Sequence, residues 1–268
     1  MGRPPPAGRV TAEPPAEELL DVAREAARAA AAELLARYER AGGPVGLATK
    51  STATDPVSEA DLAAEQAIRA VLARRRPDDG ILGEEGTGDV PGTTGLRWIV
   101  DPLDGTVNYL FGVPQWCVSV ACEGHVGVIL DPIRGECFEA TAAGEATLDG
   151  AGVRPSGRED LATALVATGF GYDAAVRAAQ AEVVARLLPQ VRDIRRMGSA
   201  ALDLAWTAAG RYDAFYERGV QVWDTAAGTL LCERAGLQVR ELPADDRRAA
   251  GILVAPPALA DALAVIVA

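Results

Sequence analysis

Histidine and lysine are all but missing from this chain of 268 residues, which holds one of each, His125 and Lys50, against 25 arginines. One imidazole excludes any site built on several histidines, and His125 stands in E-G-H between two apolar runs, the setting of an exposed turn. The lone lysine lies in a Gly-, Ser- and Thr-rich loop of a chain that otherwise uses arginine for its cations. It is either a chance survivor or a position that needs an ammonium group. Cysteine is scarce: Cys117, Cys122, Cys137 and Cys232 form no C-x-x-C motif, which argues for reduced core thiols. Cys117 and Cys122 lie five residues apart on what reads as a strand, hence on opposite faces.

Positive charge is the minority sign. A net charge of −12 disfavours general attraction to nucleic acid or to an anionic membrane surface. No uncharged apolar stretch approaches the roughly eighteen residues that span a bilayer. The N-terminal M-G-R-P-P-P-A-G-R-V lacks an apolar leader core, and Pro6 occupies the position where a myristoylation signal carries Ser or Thr. The expectation is a soluble, cytoplasmic protein without nucleic-acid or membrane partners.

What is present is the balance of a globular protein, 49% apolar and 24% charged. Residues 1–16 carry Pro4, Pro5, Pro6, Pro14 and Pro15 without apolar periodicity and read as a disordered tail. Leu19 to Ala41 alternates apolar residues with Arg and Glu at helical spacing until Gly42-Gly43-Pro44 stops it. A second helix opens at Ser58, a candidate N-cap, and runs to Arg75. The period then changes to two: I-L-G-E-E, R-W-I-V-D, W-C-V-S-V-A-C, V-G-V-I-L-D and E-C-F-E-A read as an antiparallel meander. From Ala162 strand-like and helical patterns alternate through the helix after Trp223-Asp224, an α/β arrangement. The switch near Gly150 divides an N-terminal α+β part, residues 17–150, from a C-terminal α/β part, residues 151–268.

Three acidic clusters close predicted elements: Glu84 and Glu85 in G-E-E, Asp101 and Asp104 in D-P-L-D-G-T, and Asp224 in V-W-D. Each alone has a plain explanation as a solvated strand end, a turn opener or a helix cap. Together they follow apolar runs that belong in a core, where unpaired anions are costly and a cation relieves them. Oxygen donors without His or Cys suit Mg²⁺ rather than Zn²⁺, and the Leu103 carbonyl behind Pro102 is a further donor. Gly105-Thr106 precedes a helix-like V-N-Y-L-F, and the free N–H groups of a helix start attract phosphate. About four ligand carboxylates against two or three Mg²⁺ leave a neutral or positive socket for an anion. D-G-T also ends the haloacid-dehalogenase motif D-x-D-G-T, but the position of its nucleophile is Pro102 here, so attack by a metal-activated water is the better reading. No P-loop occurs.

G-E-E, W-I-V-D-P-L-D-G-T-V-N-Y and V-W-D-T-A-A-G, in this order, resemble the inositol monophosphatase family of Mg²⁺-dependent, typically lithium-sensitive phosphatases. The likeness continues through K-S-T-A-T-D, G-S-A-A-L-D-L and Y-E-R-G-V-Q-V-W-D, from Glu17 to the end. It implies a layered α-β-α-β-α sandwich, usually dimeric. It implies metal ligation by Glu84, Asp101, the Leu103 carbonyl, Asp104 and Asp224, for two or three Mg²⁺. Asp104, Gly105 and Thr106 would bind the substrate's phosphate end, while Thr106, bonded to Asp61, and Glu84 would orient the attacking water. Ser199, Ala200 and Glu217 would contact the polyol, with Lys50 and Asp55 on a mobile loop. The implied activity is release of phosphate from a small polyol monophosphate, myo-inositol 1-phosphate first. Histidinol phosphate, fructose 1,6-bisphosphate and 3′-phosphoadenosine 5′-phosphate are the alternatives, as is a non-catalytic regulatory role.

Overall fold

In the computed structural model, residues 14–41, 48–49, 56–57, 59–85 and 88–268 are described. Lys50, Asp55 and Ser58 lie outside them, as do residues 1–13 of the proline-rich segment. The chain runs through helix α1 (Ala16–Ala41), the two-residue strands β1 (Ala48–Thr49) and β2 (Pro56–Val57), and helix α2 (Glu59–Arg75). An eight-stranded sheet follows: β3 (Gly80–Gly83), β4 (Asp89–Val90), β5 (Arg97–Asp104), β6 (Cys117–Cys122), β7 (Val126–Asp131), β8 (Glu136–Thr141), β9 (Thr147–Leu148) and β10 (Ala151–Gly152). The short helix α3 (Thr106–Leu110) separates β5 from β6. A five-stranded sheet is built from β11 (Leu165–Thr168), β12 (Asp193–Arg195), β13 (Ala214–Arg218), β14 (Gln238–Leu242) and β15 (Gly251–Ala255). It is interleaved with α4 (Ala174–Leu187), α5 (Ala200–Ala208), α6 (Val222–Arg234) and α7 (Pro257–Val267).

Period-two alternation sorts the strand residues into separate cores. On β6, Val118, Val120 and Cys122 face α1 and α2, while Cys117 and Ala121 join the core around α5 and α6. The two cysteines thus lie on opposite faces, as their spacing requires, and all four thiols are free. On β13, Phe215 enters the central core while Ala214 and Tyr216 face the core under α4 and α7. The result is five layers: α1 and α2, the large sheet, α5 and α6, the small sheet, then α4 and α7. This is the α-β-α-β-α sandwich that the resemblance implied. His125 is half-buried in the turn between β6 and β7.

The meander needs one correction. From β5 to β10 neighbouring strands pair antiparallel, but β3 pairs parallel with β5, Leu82 opposite Ile99. The chain leaves β3 through an antiparallel return in β4, then crosses back to lay β5 along the other edge of β3. Parallel pairing brings the C-terminal end of β3, where Glu84 follows, beside the C-terminal half of β5.

Candidate active site

The D-P-L-D segment is a bulge. Asp101 stands opposite Ser119 and Asp104 opposite Cys117, so three steps on β5 match two on β6. In a regular strand residues three apart face opposite sides; the extra residue turns both aspartates to the side that carries Ser119 and Cys117. Pro102 suits this position because it has no ladder N–H to lose. Asp101 accepts the Leu103 N–H at 3.0 Å, which fixes the local turn. Gly105 then adopts φ 98, and a Cβ there would come within 2.9 Å of the Gln115 carbonyl, so only glycine joins the bulge to α3. The first turn of α3 leaves N–H groups without helical acceptors.

Asp104 is the hub of the site. Its Oδ2 accepts the Ser199 hydroxyl at 2.6 Å and the Ala201 N–H at 2.7 Å, and its Oδ1 accepts the Ala200 N–H at 3.3 Å. A carboxylate on the large sheet therefore receives the N-terminus of α5, whose free N–H groups and dipole favour an anion. Even so, burial raises the Asp104 carboxyl to about 6 against these hydrogen bonds. The Cys117 thiol packs 3.8 Å from Oδ2 and 3.6 Å from the Ser199 hydroxyl.

Asp224 enters from α6, where it is the third residue and accepts the Gln221 N–H at 2.7 Å in a capping box. Asp101 and Asp224 are both driven above the usual carboxylate range, first by burial and then by their acidic neighbours. For Asp101 these are Glu84, Asp104 and Asp224; for Asp224 they are Asp104, Glu84 and Glu217. Glu84, Asp101, Leu103, Asp104, Gly105, Thr106 and Asp224 line one cleft of about 390 Å³. Among the described residues no three acidic, histidine or cysteine side chains are drawn tightly enough to hold a metal ion as they stand. The carboxylates surround the cleft and share its repulsion without meeting at one point.

Asp61 lies beneath the cleft at the start of α2, its Oδ1 3.4 Å from the Thr106 hydroxyl. The Leu103 carbonyl is the closer acceptor for that hydroxyl, at 3.1 Å. Ala200 and Glu217, the latter on β13, line the same cleft. Glu217 does not pair with Arg218. The neighbouring position turns Arg218 away, where it donates to the carbonyls of Pro243, Ala249 and Val267. Burial pushes the Glu217 carboxyl up to about 8, a rise that Arg196 opposes and Asp104 adds to. The Glu217 carboxylate occupies the space over Gly169 that any side chain there would fill. Gly169→Ala is expected to leave the fold intact, displace this carboxylate, and raise KM for the molecule the cleft acts on about tenfold with a smaller change in kcat. Steady-state kinetics check this, and an unchanged KM would show that the carboxylate's position is immaterial.

Of the sequence-chosen residues, Glu84, Asp101, Leu103, Asp104, Gly105, Thr106, Ala200, Glu217 and Asp224 line the cleft, Asp61 and Ser199 lie behind it, and Lys50 and Asp55 fall outside the described residues. Ser199 is buried and points its hydroxyl at Asp104, so of the Ser199-Ala200 pair only Ala200 lines the cleft. Sequence reading missed the cleft-lining Arg196 and Phe170, and the Cys117 thiol packed against Asp104, none of which has a motif of its own.

The model of the inositol monophosphatase family matches residues 16–266. The chain belongs to the inositol monophosphatase family. It is 43% identical over 263 residues to an inositol-1-monophosphatase of Mycobacterium leprae, with 92% of this chain and 90% of that protein covered. It is 42% identical over 234 residues to a protein of Pseudomonas aeruginosa named Nus factor SuhB, with 82% and 84% covered. Among solved structures, extragenic suppressor protein suhB of Bartonella henselae superposes with a TM-score of 0.85 at 34% identity, covering 93% of this chain and 98% of that one. Mycobacterium tuberculosis SuhB superposes with a TM-score of 0.79 at 37% identity, covering 95% and 97%.

Proposed function

We propose that the cleft is the active site of a Mg²⁺-dependent phosphomonoesterase that releases inorganic phosphate from a small polyol monophosphate, myo-inositol 1-phosphate before others. The observation that carries this is the convergence of Glu84, Asp101, Asp104 and Asp224 on one cleft, where burial and mutual repulsion raise the three aspartates. An oxygen-only donor set with uncompensated negative charge fits Mg²⁺. Glu84, Asp101, the Leu103 carbonyl, Asp104 and Asp224 would hold it, two or three ions in all. Bound there, Mg²⁺ supplies the positive charge that polarises a phosphoryl oxygen and lets water act as a nucleophile at neutral pH.

The chain's own groups do the positioning. Free N–H groups at the start of α3, at Gly105 and Thr106, receive phosphate oxygens. The Thr106 hydroxyl donates to Leu103 or Asp61, which leaves its lone pairs to orient the attacking water together with Glu84. Asp104 is held against α5 so that its carboxylate keeps one orientation, and Glu217 with Ala200 seats the alcohol half. Lithium inhibition and a homodimer belong to the same reading.

The test is a panel of myo-inositol 1-phosphate, histidinol phosphate, fructose 1,6-bisphosphate and 3′-phosphoadenosine 5′-phosphate, each with Mg²⁺, EDTA or added Li⁺. Mg²⁺-dependent release that is strongest on the inositol ester and falls with Li⁺ is expected. Preference for another ester would replace the substrate, and silence on all four would refute the activity. The name of the Pseudomonas aeruginosa relative favours a second reading, a regulatory binding role beside the enzymatic one. Co-purification with a large assembly regardless of Mg²⁺ would support it.

A further inference from the structure

Two arginines line the cleft, and they differ in what is left of their hydrogen-bonding capacity. Arg218 is buried and spent on backbone carbonyls, at 2.8 to 3.4 Å. Arg196 is exposed at the rim, in the turn between β12 and α5. Its guanidinium lies over the Phe170 ring, 5.8 Å from the centroid, and donates to the Phe170 carbonyl at 3.3 Å. On its other side it crosses Gly198 close to Asn108: a Cβ on Gly198 would stand 2.6 Å from Nη1 and 3.0 Å from Asn108 Nδ2. The Phe170 contacts and the bare Gly198 backbone let the guanidinium lie along the cleft.

Most of its N–H donors have no protein acceptor among the described residues. Glu217 and Asp203 both feel its charge, yet it forms an ion pair with neither among the described residues. Neutralising those two carboxylates is therefore not what the fork is shaped for. A planar, oriented guanidinium with free donors is a bidentate receptor for carboxylate or phosphate. The phosphate to be transferred belongs beside Gly105, Thr106 and the aspartates. Arg196 lines the cleft with Glu217, the residue assigned to the alcohol half, and its charge acts on that carboxyl.

We propose that Arg196 determines specificity by binding a second anionic group, a phosphate or carboxylate, on the alcohol half of the substrate. The inference rests on the phosphatase reading above and extends its substrate class, beyond the inositol monophosphate, to polyol phosphates that carry a further negative charge.

The test compares initial rates of phosphate release from myo-inositol 1-phosphate and myo-inositol 1,4-bisphosphate by wild type, Arg196→Gln and Arg196→Lys, with Mg²⁺ present. Arg196→Gln is expected to lower the bisphosphate-to-monophosphate ratio of kcat/KM about tenfold or more, mainly through KM. Arg196→Lys, which keeps the charge and loses the fork, is expected to fall between. An unchanged ratio, or equal losses on the two esters, would overturn this inference and leave the phosphatase reading standing. No Mg²⁺-dependent release from either ester by wild type would overturn both.

Discussion

Asp104→Asn is expected to lower phosphate release by at least about 10³-fold, ~4 kcal/mol of transition-state stabilisation, and to destabilise the fold as well. The first effect follows from the loss of a ligand charge in a cleft that needs every carboxylate to balance a divalent cation. The second follows from what else the carboxylate does. Both oxygens accept hydrogen bonds from the start of α5, through Ser199, Ala200 and Ala201. An amide offers one oxygen, so whichever way the new side chain turned, its NH₂ would face a backbone N–H, donor against donor. A buried mismatch of this kind costs about 1–3 kcal/mol, offset in part because the amide carries none of the charge whose burial raises the Asp104 carboxyl. Thermal unfolding and initial rates on the same preparation separate the two. A near-normal rate would remove Asp104 from the site, and an unchanged melting temperature would show that α5 does not depend on it.

Removing Asp79 is expected to produce the largest loss of stability, far from the cleft. Asp79 precedes β3 with its side chain only 1% exposed, and it accepts from Arg76 Nε at 2.7 Å, Thr94 Oγ1 at 2.7 Å and Trp98 Nε1 at 2.9 Å. Trp98 is fully buried in the core against α1 and α2, so Asp79→Ala strands its indole N–H and leaves the largely shielded Arg76 guanidinium with only the more exposed Glu18, 3.5 Å away. Breaking a buried pair from one side costs about 3–5 kcal/mol, roughly a 10 °C fall in melting temperature for a chain of this size. Burial opposes ionisation of Asp79, but the hydrogen bonds from Arg76, Thr94 and Trp98 outweigh it and hold its carboxyl below the ordinary value. A depressed carboxyl stabilises the fold above the unfolded pKa of about 3.9 and loses that contribution as pH falls toward the folded value. The gap between wild type and Asp79→Ala is therefore expected to be full at neutral pH and to narrow below about pH 4. Denaturant titrations across that range check it; a gap that is constant with pH would mean the ionised pair contributes nothing.

The layered fold was legible because alternation and helix punctuation survive in single residues: Val118, Val120 and Cys122 read as one face of β6 before any sheet was known. The parallel β3–β5 pair was not, since it depends on where the chain goes after the two-residue strand β4, too short to leave a periodic trace. Strands β14 and β15 and helix α7 show in Q-V-R-E-L, G-I-L-V-A and P-A-L-A-D-A-L-A-V-I-V only as short alternation and an N-terminal proline. At the site, the acidic residues were legible as an unexplained accumulation of charge behind apolar runs. Their geometry was not: Asp101 and Asp104, three apart, read as opposite-facing until the bulge turned them together. The link between Asp104 and Ser199 joins residues 95 positions apart and could come only from the fold. Arg196 was invisible because the sequence holds 25 arginines, and only the structure shows that this one keeps its donors free at the mouth of the cleft.

The most direct measurement is inorganic phosphate released from myo-inositol 1-phosphate as Mg²⁺ is titrated into metal-free protein, with Asp104→Asn in parallel. If the acidic cleft is a Mg²⁺-dependent phosphomonoesterase site, release is absent at the start, rises and saturates for the wild type, and stays at background for the variant. Release that persists in EDTA, or that Asp104→Asn leaves untouched, would contradict it.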